Sequence, residues 1–188
     1  MALTLPNPYP KMKRLSILFL FIVFAANTIN AQSIQNRSIK GLDATGDAVV
    51  YFSVETGEII PAEAAAFGGW DIGFQGTTIL VNGEAQYVES KYDALTEAPA
   101  EGYLAEESGP VTLPTGDKGW FNYDFNTHVI SPVANRILVL KNKKGLFTKL
   151  EILDYYKVTF GENGPAPAPR YYTFRYTTQA NGTQRFTE

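Results

Sequence analysis

The sequence predicts an all-β protein, folded as one domain behind a short N-terminal export signal. Three observations predict this. Short runs of β-branched and aromatic residues alternate in character, Gly, Pro and Asn separate them, and only Pro61 to Phe67, with three consecutive alanines, suggests a helical turn.

The N-terminal elements follow in order. Met12-Lys13-Arg14 is a basic start, and an apolar run from Leu15 to Ala26 follows, broken only by Ser16. Asn27 to Gln32 then offers the small Ala31 at a cleavage position, the layout of a secretory signal peptide. A membrane-spanning helix needs about 20 apolar residues, so this run is too short to be one. Residues 1 to 11 fit no part of a signal, which makes Met12 the expected start. Cleavage divides the chain into a signal peptide, 1–31, and a β domain, 32–188, long enough for one substantial core.

Within that domain the first expected strand is Ala48 to Val54, ended by the turn-type Glu55-Thr56-Gly57-Glu58. Trp70 to Phe74 places Trp70, Ile72 and Phe74 on a core face, with Asp71 and Gly73 on the other. Thr77 to Val81 continues into Asn82-Gly83, a pair that tolerates positive φ and predicts a hairpin into Ala85 to Val88. Residues 92 to 118, punctuated by Pro and Gly, read as a long irregular excursion with one short strand. Trp120 to Phe125 is extended. Ile137-Leu138-Val139-Leu140 reads as a strand buried on both faces, and Lys143-Lys144-Gly145 turns it into Leu146 to Tyr156. Gly161 to Pro169, with Pro at 165, 167 and 169, reads as a loop stiffened by fixed φ. Tyr171 to Thr177 is the last strand.

Composition narrows the chemistry. The chain has no cysteine, which excludes disulfides, thiolate metal sites, thiol catalysis and a lipid-modified N-terminal Cys. The domain left after cleavage carries 13 bases minus 19 acids, or −6, a poor balance for binding nucleic acid. The charge is uneven: residues 41–117 hold fourteen acids against one base, Lys91, and residues 118–188 hold ten bases against five acids. Two halves attracting each other across one sheet, or simply solvated faces, explain this more simply than a basic face for an anionic ligand.

Catalysis finds little support. His128 is the sole histidine, no G-x-S-x-G nucleophile turn occurs, and no glycine-rich phosphate loop is present. Asp71 and Asp124 form the one carboxylate pair worth weighing for a hydrolase, but a strand-flank Asp more commonly supports a turn or meets solvent. The chain is therefore read as non-enzymatic. Its aromatics weigh more: ten tyrosines, nine phenylalanines and both tryptophans lie after residue 31. Most are expected in the core. Tyr87, Tyr92 and Tyr103, beside the irregular excursion, are the ones expected to face a planar ligand or a sugar.

Several motifs, in order, carry a resemblance. They are Trp70-Asp71-Ile72-Gly73-Phe74, Gly119-Trp120, Ser131-Pro132, the strand Arg136 to Lys141 with its hairpin, Lys149-Leu150 to Tyr155-Tyr156, and Tyr172-Thr173-Phe174-Arg175-Tyr176. Together they resemble the HmuY family of exported haem-binding proteins, over about Val49 to Thr178. The resemblance implies a twisted antiparallel β domain that grips haem between extended hairpins and passes it to an outer-membrane, TonB-dependent receptor. It also implies a periplasmic or secreted location, and without a cysteine this chain is not a lipoprotein.

Haem iron in such proteins is held by axial side chains, typically paired His or paired Met. Met1 and Met12 are the only methionines and precede or begin the signal, and one His cannot make a pair within one chain. The hairpin that supplies the other ligand in a relative looks shortened or missing. The resemblance thus implies a site on His128 as metal ligand, alone, with Tyr92 or Tyr103 as second donor, or shared across a homodimer. The alternative is an HmuY-type binding module without haem that recognises a glycan or a protein partner.

Overall fold

Alternating apolar residues pair into two antiparallel sheets and one separate hairpin. The structure, a computed structural model, describes residues 1–3, 34–162 and 164–187; the predicted signal peptide falls almost wholly outside them. The elements are β1 (Ile34–Asp43), β2 (Val50–Ser53), β3 (Glu58–Ile60), α1 (Ala62–Ala65), β4 (Ile72–Gln75), β5 (Thr78–Val81) and β6 (Gly83–Glu89). After them come β7 (Val111–Thr112), β8 (Phe121–Asp124), β9 (Val129–Pro132), β10 (Arg136–Asn142), β11 (Phe147–Gly161) and β12 (Gly164–Gln179). The first sheet has the order β1-β12-β11-β10-β6 and the second β3-β2-β4-β5-β7, while β8 and β9 pair alone. No described helix is long and apolar enough to cross a membrane.

The sheets share one core. Phe52 and Phe74 of the second sheet meet Phe174 of the first, with ring centroids 5.5 and 5.4 Å apart. All three rings are fully buried, and each such burial is worth about 1.5–3 kcal/mol. As its continuous apolar run predicts, β10 is buried on both sides. Leu138 and Leu140 join this core, whereas Ile137 and Val139 join a second cluster with Tyr92, Ala98, Phe147 and Phe186. The irregular excursion and the C-terminal tail cover that outer face, tied together by Ala98 N–H to Gln184 O and Phe186 N–H to Thr96 O, both 2.8 Å.

The two unlike-charged halves meet in ion pairs. Arg136–Glu89 and Lys144–Glu55 close at 2.6 Å, and Lys141–Glu84 lies at 3.8 Å. This is the simpler of the two expectations for the uneven charge.

Three expectations need correction. Asn82-Gly83 is not a hairpin turn: β5 pairs with β4 and β7, and β6 pairs with β10, so the chain changes sheet there. Asn82 holds the crossing, its N–H donating to Asp71 O (2.9 Å) and its Nδ2 to Trp70 O (3.0 Å). Gly83 is needed for a close approach, because a Cβ there would lie 2.2 Å from the Lys141 carbonyl oxygen.

Secondly, the proline-rich stretch is a strand. Pro165, Pro167 and Pro169 stand opposite Phe160, Val158 and Tyr156. Only alternate residues of an antiparallel strand donate to a given neighbour, so proline at every second position leaves that ladder intact. β1 runs alongside β12 only from Tyr171 onward, so the prolines lie on an open edge. Thirdly, β1 itself was not expected. Its composition is polar, and its pairing with β12, for example Asn36 with Thr177, is not a local pattern.

Asp71 is neither exposed nor turn-forming. Its carboxylate is buried, accepting from Val54 N–H and Asn142 Nδ2, each at 2.9 Å, and so ties the second sheet to the end of β10.

Candidate functional site

Bulges decide where the site forms. The β11–β12 register shifts around Asp154, whose Oδ1 accepts from Tyr155 N–H (2.7 Å) and Tyr156 N–H (3.0 Å). A bulge bends a strand and strengthens its twist. Beyond it, Tyr156–Gly161 and Gly164–Pro169 project as a two-stranded arm. Directly opposed residues share a face, so Tyr156–Pro169, Val158–Pro167 and Phe160–Pro165 form one apolar strip. Val158 is 60% and Phe160 84% exposed, a patch that folding alone does not explain.

The β8–β9 hairpin stands beside this arm. Asp124 builds its turn: Oδ1 accepts from Asn126 N–H (2.7 Å) and Thr127 N–H (3.2 Å), bonds that hold this carboxyl below its usual range. His128 N–H donates to Asp124 O at 2.8 Å, and His128 takes φ 57°. Tyr156 Oη accepts from Ile130 N–H at 2.9 Å, clipping the hairpin to the arm. The turn between β4 and β5 supplies the third wall, held by Trp120 Nε1–H to Thr77 O (2.9 Å) and Tyr172 O–H to Gly76 O (2.7 Å).

Between these walls lies an open cleft of about 610 Å³, within the usual range for small-molecule sites. His128, Tyr155, Tyr156, Pro169 and Arg170 line it, and Pro169 and Tyr156 continue it onto the apolar strip of the arm. Arg170 sits at φ 70°. Two of the three non-glycine residues with positive φ among the described residues therefore border this one cleft, the third being Asn135. Such conformations are uncommon and concentrate at functional positions. His128 Nδ1 lies 2.6 Å from Tyr123 Oη. With Nδ1 protonated and donating to Tyr123, Nε2 keeps its lone pair for a metal.

Solved structures share this architecture. An apo HmuY analog of Tannerella forsythia matches with a TM-score of 0.57 at 17% identity, over 80% of this chain and 98% of that one. The fold is the HmuY type. An HmuY-like protein of Bacteroides vulgatus, a candidate haem-binding protein, matches at TM-score 0.50 and 17% identity, over 77% of this chain and 91% of that one. Apo PinO of Porphyromonas gingivitis matches at a TM-score of 0.50 and 14% identity, over 78% of this chain and 97% of that one. No family model and no curated protein matches the chain.

Within this HmuY-type frame the predicted site residues separate. His128 lines the cleft. Tyr92 does not: it is buried, its Oη 2.7 Å from Thr177 Oγ1, its ring between Lys149 Nζ (4.4 Å) and the Arg175 guanidinium (4.1 Å). Burial pushes its hydroxyl up to about 12, which disfavours the phenolate that would bind iron. Tyr103 packs edge-on against Phe147 at 6.3 Å in the same outer cluster, and burial raises its hydroxyl too. Tyr87 packs against the main core instead of facing a ligand. Asp71 lines the pocket at the sheet crossing, which does not include Asp124, and each carboxylate is occupied with backbone hydrogen bonds.

Sequence reasoning missed Arg170 and the arm. Alternation of proline at 165, 167 and 169 is itself a period-two signal, and Tyr155-Tyr156 is one of the motifs that carry the resemblance.

Proposed function

We propose that this chain is an exported, non-enzymatic haem-binding protein of the HmuY type, which captures haem for hand-over to a TonB-dependent outer-membrane receptor. The signal peptide, 1–31, directs the β domain, 32–188, to the periplasm or beyond. The observation that carries the reading is the convergence of His128 and Arg170, both in left-handed backbone, on one cleft that runs onto an exposed apolar arm. The chemistry of this set fits haem: an imidazole for the iron, a guanidinium for a propionate, and flat or apolar side chains for the ring faces.

His128 is the proposed iron ligand through Nε2. Tyr156 is a poor second ligand, since its hydroxyl already accepts from Ile130 N–H. The site is therefore a single-histidine one within the chain, and a homodimer would be the route to a second axial ligand.

Haemin titration of the processed protein, followed at the Soret band, tests this. A saturable shift that His128→Ala abolishes is the expected result. Protein that stays colourless with excess ferric and ferrous haem sinks the reading, and leaves an HmuY-type module for another ligand. Size-exclusion chromatography with and without haemin tests the dimer.

A further inference from the structure

A second pocket, of about 380 Å³, lies where the chain crosses from one sheet to the other. Its residues do not overlap with those of the His128 cleft. Ser53, Asp71, Asn82 and Asn142 line it, all polar and all at least nine-tenths buried. Much of their hydrogen-bonding capacity is used internally. Asn142 Oδ1 accepts from Lys144 N–H (3.0 Å) and Leu146 N–H (2.9 Å), and its Nδ2 donates to Asp71.

Some capacity is left over. Among the described residues Asn82 Oδ1 accepts no hydrogen bond, although Asn82 is only 9% exposed. Ser53 Oγ accepts a long bond from Thr56 N–H (3.4 Å), which leaves its own hydrogen free to donate. Each Asp71 oxygen accepts one protein hydrogen bond and has a second lone pair. Polar atoms that open onto a pocket with unspent donors and acceptors suit a ligand that carries hydroxyls.

The mouth adds an aromatic surface. Phe67 lines the pocket yet is 95% exposed, and Gly68 and Gly69 follow it at φ 90° and 86° with nothing within 4 Å of their Cβ positions. Trp70, its ring tilted at 56° against Tyr51 with centroids 4.8 Å apart, forms one wall. Charge is balanced, with Glu55 and Asp71 set against Lys143 and Lys144, and Glu55 already closed onto Lys144 at 2.6 Å. A neutral ligand suits that balance better than an ion.

We propose that this pocket binds a neutral polyhydroxylated ligand of monosaccharide size. Its hydroxyls would donate to Asn82 Oδ1 and Asp71 and accept from Ser53, while Phe67 covers its less polar face. This is independent of haem binding in the other cleft.

Titrating the processed protein with methyl glucoside, methyl galactoside and N-acetylglucosamine, while following the Trp70 indole resonance by NMR, provides the test. At least one sugar is expected to shift that resonance saturably. Phe67→Ala, an exposed change that spares the fold, should weaken binding by roughly fivefold or more, the size of one ring contact. Asn82→Ala should abolish binding, with folding checked by circular dichroism; haemin should not compete. No saturable shift with any of the three sugars overturns the proposal. So does binding that Phe67→Ala leaves unchanged, or that haemin displaces.

Discussion

Tyr123 Oη and His128 Nδ1 lie 2.6 Å apart across the β8–β9 turn, so the chain's one imidazole is held by a phenol from its own hairpin. A hydrogen bond on one ring nitrogen orients the ring and selects the tautomer that leaves the other nitrogen free. Removing such a partner typically costs about 10- to 100-fold in metal affinity. Because this pair is exposed, Tyr123→Phe is expected at the lower end, a loss of roughly tenfold in haemin affinity, measured by Soret titration. Unchanged affinity would mean that the phenol does not position the ligand.

The arm should matter for ligand and not for stability. Val158 and Phe160 are largely exposed, so replacing both with Ser should leave the unfolding free energy from urea titration within about 0.5 kcal/mol of wild type. Haemin affinity should fall by several-fold as the apolar strip is lost. An affinity equal to wild type would detach the arm from the site.

Two glycines should respond in opposite ways to alanine. At Gly83 the added Cβ would lie 2.2 Å from Lys141 O, and backbone must move. Gly83→Ala is expected to destabilise by about 2 kcal/mol or more, as steric overpacking does. Gly161 has nothing within 4 Å and no positive φ, so Gly161→Ala should be neutral, or stabilising by up to about 1 kcal/mol. Equal midpoints for the two variants in urea unfolding would contradict the close approach of β6 to β10.

Alkaline pH should weaken the fold through Tyr92. Burial raises its hydroxyl to about 12 against 10.0 for the free side chain. The folded value exceeds the unfolded one, so the associated stability is fully present below about pH 10 and is lost as pH rises through about 12. Lys149, whose ammonium burial disfavours, works in the opposite direction. Tyr92→Phe should lose about 1 kcal/mol at neutral pH with the Thr177 hydrogen bond, yet decline less steeply above pH 10. Parallel stability–pH curves for the two proteins would show that Tyr92 does not titrate in this way.

Much of the fold was legible because strands leave a local signature. Val50–Ser53, Ile72–Gln75, Thr78–Val81 and Arg136–Asn142 all fall where β-branched and aromatic alternation placed them, and the double burial of β10 was readable from four consecutive apolar residues. β1 was not legible: Gln35, Asn36, Arg37 and Ser38 look like a linker until β12 lies alongside. Of the candidate site, His128 stands out in the sequence as the sole histidine, and it lines the cleft. The sequence does not place Tyr92 and Tyr103, because an irregular segment gives no period from which to tell inward from outward. They turn inward because Ile137 and Val139 offer an apolar face that needs covering.

By itself, the order of residues determined the class of structure, the positions of the strands with apolar alternation, the helical turn and the lack of thiol chemistry, since each depends on composition or on neighbours a few positions apart. Tertiary structure alone decided that Asn82-Gly83 crosses between sheets, that the proline stretch becomes an arm, and that Arg170 comes to share a cleft with His128. Alternation shows that a segment is a strand but not which strand it pairs with. Pairing is settled by burial and backbone hydrogen bonds between residues far apart in the chain.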